Sequence, residues 1–385
     1  MTRAYLDHAS TSPLRPAARA AMIAALTDAV GDPGRIHEEG QAARVALEVA
    51  RQQVADLLGA RPRSVVFTSG ATEAIATAIW GTTARAIAAG AEVHHVVTAV
   101  EHSAVRLTAE RAGDVTVVPV DRVGRIDPDA VVAALRPDTA CVHVQWGNHE
   151  VGTIQPVEAV VAACRERGVL VHVDAAQAVG RAPIAFDATG IDLLSLSGHK
   201  LGGPAGTGAL LIRRGLRLEP LLLGGDQERA RRAGLEPVAA LAGLGAACAE
   251  LAGTEPDGRT TAEVEADRAG VLRARLVALA GTLSGVAVHG DPDHHLPHLV
   301  SLGIDGVEPQ GVLLGLDRAG IAAHSGSACA SESLEPSPVL AAMGVDAHRS
   351  LRLSVGWSTT TDDVALVEAQ LGVTIDRLRS LAGGA

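Results

Sequence analysis

The chain has 385 residues, 47% hydrophobic and 20% charged, with a net charge of −11. It is long enough to bury a large core, and its net charge argues against a standing nucleic-acid footprint, which needs a clustered basic face. No apolar run approaches the roughly 18 residues that span a bilayer. The opening MTRAYLDHASTSPLRP has no apolar leader region. The expectation is a cytoplasmic protein with no membrane contact and no stable nucleic-acid binding. Cys141, Cys164, Cys248 and Cys329 lie far apart without a C-x-x-C pair, which predicts reduced thiols and neither a disulfide framework nor a structural zinc site.

In chain order, β-branched runs fall at 65–68 (VVFT), 93–98 (VHHVVT), 115–120 (VTVVPV), 140–146 (ACVHVQW), 169–174 (VLVHVD), 191–197 (IDLLSLS) and 207–213 (TGALLIR), with helical patterns such as 157–167 between most of them. Apolar strands alternating with helices predict an α/β fold, a seven-stranded, mostly parallel sheet covered on both faces. Residues 228–281 read as helical and rich in Ala and Leu. A loop at 289–298, a strand near 299–303, a helix near 309–319, a Gly/Ser loop, a strand at 351–356 and a helix at 362–381 follow. That mixed order predicts a smaller α+β domain from 1–13 and 256–385, beside a large domain at 14–255. The loop's His294, His295 and His298 lack carboxylate–histidine spacing, so no metal site is expected.

Several strands end on residues that carry chemistry. SGATE (69–73) follows the first and opens a helix, where Gly70, Ala71 and Thr72 present N–H groups and a hydroxyl suited to a phosphate. EHSA (101–104) offers His102 as a ring-stacking or acid/base group or as a structural histidine. VDAAQ (173–177) places Asp174 where it either pairs with a protonated ring nitrogen or caps the next helix, with Gln177 as a donor beside it. SGHK (197–200) puts Lys200 on a tight turn. Of 33 basic residues it is the only lysine, which points to a need for a primary amine. HSGSACAS (324–331) sets Cys329 in a small-residue loop, whereas the other three cysteines read as core.

This ordered set, with NHEVGTIQP (148–156), QERARRAG (227–234) and LRLSVGWSTT (351–360), resembles the cysteine desulfurases among the class V pyridoxal-phosphate (PLP) enzymes, and the resemblance spans nearly the whole chain. SGSACAS followed by SLEPSPVLAAMG resembles their subgroup with a longer catalytic loop. The resemblance implies the type I PLP-dependent transferase fold, usually a homodimer, with PLP as cofactor. Lys200 would hold the cofactor, Asp174 would pair with its ring nitrogen, and His102 would stack on the ring and act in catalysis. Asn148 and Gln177 would bind near the ring oxygen, with Asn148 also near substrate. Ala71, Thr72, Ser197 and His199 would hold the phosphate. Arg352 would pair with the carboxylate of L-cysteine, and Cys329 would take its sulfur as a persulfide, releasing alanine. A sulfur-acceptor protein, either a scaffold or a thiolation enzyme, would then serve iron–sulfur cluster assembly, tRNA thiolation or DNA phosphorothioation.

The chain also departs from the family pattern. AIATAI (74–79) lacks a usual asparagine, GGDQERARRAGL (224–235) ends on Leu235 in place of a threonine, His149 replaces the second asparagine of NNE, and GDPGRIH (31–37) replaces GNPSSxH. A selenocysteine lyase, another class V PLP enzyme and a non-catalytic scaffold in a sulfur relay remain alternative readings.

Overall fold

Seven aliphatic runs form one sheet: β1 (Val65–Thr68), β2 (His94–Thr98), β3 (Asp114–Val118), β4 (Thr139–Gln145), β5 (Leu170–Asp174), β6 (Leu193–Ser197) and β7 (Gly208–Ile212). The computed structural model describes residues 3–326 and 336–383. Across the sheet the order is β1-β7-β6-β5-β4-β2-β3. β7 runs antiparallel to both neighbours, and all other pairs are parallel. Two reversals cancel, so β1, β2, β4, β5 and β6 all point their C-terminal ends at one edge. Open α/β sheets bind ligands at that edge.

Alternation within each strand divides the residues between two helical layers. Val65, Phe67, Val171, Val173, Leu194 and Leu196 enter the larger core with α5 (Val157–Arg165) and α6 (Val238–Ala252). Val66, Val97, Leu193 and Leu210 face α3 (Ala71–Ala88) and α4 (Ser103–Ala112). Two helices that the sequence reading left unassigned, α1 (Pro16–Asp28) and α2 (Glu38–Leu57), pack on α6. A second core gathers Ala4 and Leu6 with α7 (Thr261–Thr282), α8 (Pro309–Arg318) and α9 (Thr361–Gly383). It covers an antiparallel sheet of β8 (Val286–His289), β9 (Leu299–Ile304) and β10 (Ser350–Ser354), ordered β10-β9-β8.

The helical reading of 228–281 needs correction at two breaks. Pro237 starts α6, and the turn after Gly253 ends it before the capping box of Thr260 and Glu263 opens α7. Ahead of α6, Glu228, Arg229 and Ala230 adopt left-handed φ values of 49°, 59° and 58°. Each costs about 1–2 kcal/mol for a non-glycine residue. A buried fork holds them in place: Arg51 donates from Nη1 and Nη2 to Glu228 at 2.7 and 2.8 Å, and the Phe67 amide donates to Glu228 at 2.9 Å. The divergent 224–235 segment is thereby fastened to β1.

Candidate active site

Strand ends at the shared edge line a cavity of about 430 Å³ whose walls include Gly70, Thr72, His102, Asp174, Ser197 and Lys200. Lys200 closes a single 3₁₀ turn, Gly198–Lys200, directly after β6. A Cβ on Gly198 would lie 2.2 Å from Thr207 Oγ1, so the turn requires glycine there. Lys200 Nζ donates to the Ala9 carbonyl at 2.8 Å. Loss of water around the amine, then repulsion from Arg352 and Arg181, pushes its pKa down to about 7. Near neutrality this amine is available as a nucleophile and a base.

Asp174 ends β5 and is 8% exposed. Its Oδ1 accepts from the Ala176 amide at 3.0 Å and from Ser195 Oγ at 3.4 Å. Both bonds fall on one oxygen, so the residue makes its local turn and still offers Oδ2 to a ligand. His102 is the N-cap of α4, its Nδ1 accepting from the Ala104 amide at 3.1 Å. That bond places the proton of the neutral ring on Nε2. Burial, then His149, lowers the His102 pKa to about 4. The His149 ring meets it edge-on, 5.2 Å between centroids.

At the other end of the cavity α3 begins at Ala71 behind Gly70 with no side-chain cap, so the first-turn N–H groups are open to an anion. A Cβ on Gly208 would lie 2.6 Å from Gly70 Cα, so the start of β7 approaches the turn after β1 only because residue 208 is glycine. Ser197 and His199 line the same cavity, with His199 Nδ1 3.1 Å from Thr11 Oγ1. An uncapped helix start, a desolvated amine and a carboxylate with one oxygen free, all in one cavity, match the phosphate, aldehyde and ring nitrogen of PLP. The residues present fit the cofactor.

Three expected site residues are engaged elsewhere. Gln177 lines the cavity, but its Nε2 donates to the Ala9 carbonyl at 2.7 Å. Asn148 is fully buried. Its Oδ1 accepts from the Glu150 and Val151 amides, each at 2.8 Å, and its Nδ2 donates to the Val100 carbonyl at 3.2 Å. It therefore shapes the turn that carries His149 into the cavity. Arg352, on β10, donates to the His149 carbonyl at 2.8 Å, Ser10 Oγ at 2.7 Å and Asp7 Oδ1 at 3.2 Å, while its Nε is buried without a partner. Cys329 lies outside the described residues. Among the described residues no group of three His, Cys, Asp or Glu is placed to hold a metal ion, and no helix is long and apolar enough to cross a membrane.

Glu101, beside His102 in EHSA, is a functional neighbour that the sequence reading passed over. Its Oε1 accepts from Thr98 Oγ1 at 2.7 Å and the Gln145 amide at 2.8 Å, and its Oε2 is buried without a partner. Burial, with repulsion from Asp174, outweighs those bonds and raises its pKa from 4.5 to about 8. The folded state then binds a proton that the unfolded chain has released, so stability falls as pH rises from 4.5 toward 8. Glu101→Gln keeps the acceptor and removes the titration. Its melting temperature should match wild type near pH 5 and exceed it by roughly 5 °C near pH 8.5. An identical difference at both pH values would contradict this assignment.

Comparison with known proteins adds independent evidence. The Aminotransferase class-V family matches residues 4–367. A cysteine desulfurase IscS of Methanosarcina thermophila is 40% identical over 388 residues, 98% of this chain and 93% of its own. The crystal structure of DndA from Streptomyces lividans superposes with a TM-score of 0.74 at 36% identity, covering 91% of this chain and 99% of that one. A structure described as SspA in complex with cysteine gives 0.80 at 29% identity, covering 93% of this chain and 100% of that one.

Proposed function

The chain belongs to the class-V aminotransferase family and is a PLP-dependent cysteine desulfurase, and we propose that Lys200 holds its cofactor and Cys329 takes the sulfur of L-cysteine. Bound in the cavity, PLP supplies an aldehyde that captures amino groups and a ring that accepts electron density from the substrate Cα. The observation that carries the residue assignments is Lys200, with its pKa lowered to about 7, in the same cavity as Asp174 and the uncapped start of α3.

Asp174 Oδ2 pairs with the ring nitrogen. Ala71, Thr72, Ser197 and His199 hold the phosphate. Lys200, freed when the substrate amine takes its place, moves the Cα proton. His102 covers the ring and exchanges the substrate thiol proton at Nε2. Cys329, as thiolate, bonds to the substrate sulfur while the Cβ–S bond breaks, and the proton passes to Cβ, so cysteine leaves as alanine and Cys329 becomes a persulfide. An acceptor protein then receives that sulfur by thiol exchange.

Arg352 is already anchored by Asp7 and serves the substrate carboxylate once that contact yields. The exposed Ile23 and Leu26 of α1 and Val45 and Val49 of α2 support a homodimer reading, with a second copy of the chain covering this apolar face. Incubation with L-cysteine and a reductant should release sulfide and alanine in equal amounts. Release of neither from PLP-loaded protein would overturn the assignments.

A further inference from the structure

Between the sheet and α3, where neighbouring strand positions carry valine and leucine, three buried histidines form a continuous hydrogen-bonded row. His95 Nε2 lies 3.0 Å from Thr83 Oγ1, and His95 Nδ1 lies 3.0 Å from His143 Nε2. His143 Nδ1 lies 3.1 Å from His172 Nδ1, and His172 Nε2 lies 3.2 Å from Ser195 Oγ. Ser195 Oγ reaches Asp174 Oδ1 at 3.4 Å. Registers make the row possible: His143 pairs with His172 across β4 and β5, Asp174 pairs with Ser195 across β5 and β6, and His172 and Asp174 share one face of β5. The three histidines and Ser195 are fully inaccessible to solvent, and both nitrogens of every ring are engaged.

Burial lowers the pKa of His95 to about 4, of His172 to about 3, and of His143 well below its ordinary value. Each ring is therefore neutral, with one donor and one acceptor. Such a row has two possible directions, and its ends decide between them. A carboxylate only accepts, so Ser195 donates to Asp174 and must accept from His172. The choice then propagates outward: His172 carries its proton on Nε2, and His143 and His95 carry theirs on Nδ1. Thr83 closes the row by donating to His95.

We propose that Thr83, His95, His143, His172 and Ser195 form a one-way hydrogen-bond chain that donates to Asp174 Oδ1 and holds the carboxylate with Oδ2 toward the ring nitrogen of bound PLP. The histidines are positioning residues, acting on the cofactor through Asp174. The inference rests on the reading of Asp174 as the ring-nitrogen partner. The same volume filled by aliphatic side chains would serve packing alone, without the directional bond.

The test compares PLP-loaded wild type with Ser195→Ala, His143→Leu and Asp174→Asn, reading PLP affinity and the pH midpoint of bound-cofactor absorbance. Ser195→Ala removes the last donor and should weaken PLP binding roughly tenfold, the order expected for one lost bond to a charged group. His143→Leu touches neither Asp174 nor the cavity, yet should shift both readouts in the same direction. Wild-type midpoint and affinity in His143→Leu would overturn the proposal. If Asp174→Asn leaves both unchanged, the assignment of Asp174 itself fails. If it changes them and His143→Leu does not, only the chain fails. Should His143→Leu not fold, ¹⁵N-histidine NMR of the wild-type holoenzyme decides. The proposal requires the proton on Nε2 of His172 and on Nδ1 of His143 and His95, and the opposite tautomer at any of them overturns it.

Discussion

Cys329→Ser is expected to reduce sulfide and alanine release from L-cysteine by at least about 10³-fold while PLP stays bound at the wild-type level. The substitution keeps size and removes the thiolate, which is the nucleophile in sulfur transfer. None of the described cysteines can substitute. Cys141, Cys164 and Cys248 are buried, and burial raises their thiol pKa values, to about 11 for Cys164 and about 12 for Cys248. The described residues on either side of the 327–335 segment are tied to neighbours of the candidate site. His324 bridges to Arg352, the Gly326 amide donates to His324 Nδ1 at 3.0 Å, and Ser337 Oγ donates to Glu150 at 2.5 Å. The chain thus enters this segment beside the arginine assigned to the substrate carboxylate. Paired assays of sulfide, alanine and bound cofactor check the prediction. Retained release would show that sulfur leaves without Cys329, and loss of PLP would show that Cys329 supports the cofactor.

Lys200→Arg is expected to be the other near-complete loss, with turnover down by more than about 10³-fold. Arginine preserves positive charge, yet a guanidinium neither condenses with an aldehyde nor deprotonates near neutral pH. The wild-type amine does both because its pKa is lowered to about 7. Its charge is lost as pH rises through that value, so the base function should appear on the alkaline side of pH 7. Borohydride treatment of the wild-type holoenzyme followed by peptide mass analysis should place PLP on Lys200, and the arginine variant should give no such adduct. An adduct on another residue, or an acid-side activity maximum, would displace Lys200 from its role.

Much of this protein is legible along one dimension. The seven strands are visible because each is a β-branched or aliphatic run, most of them buried on both faces while β3 lies partly exposed at the sheet edge, and their motifs stand out because chemistry sits at strand ends. Lys200 is conspicuous as the only lysine of the chain, and Cys329 by its small polar neighbours. What could not be read concerns partners across strands. Asn148 and Gln177 look like ligand donors in sequence, and the structure shows that each also donates to a distant carbonyl, Val100 and Ala9, 48 and 168 positions away. His95, His143 and His172 are visible as interruptions of three β runs, but nothing linear says that they touch.

The sequence by itself therefore determined the order of the seven sheet strands, the fold class and the residue types available for chemistry, because hydrophobic periodicity and strand-end motifs are local. Only the tertiary structure decided which polar atoms stay free to act. The hydrogen bond that occupies Asp174 Oδ1, the desolvation that lowers the Lys200 pKa and the burial that raises that of Glu101 all depend on strand register and on which layer closes over each side chain. Those are properties of the packed sheet, and no single segment contains them.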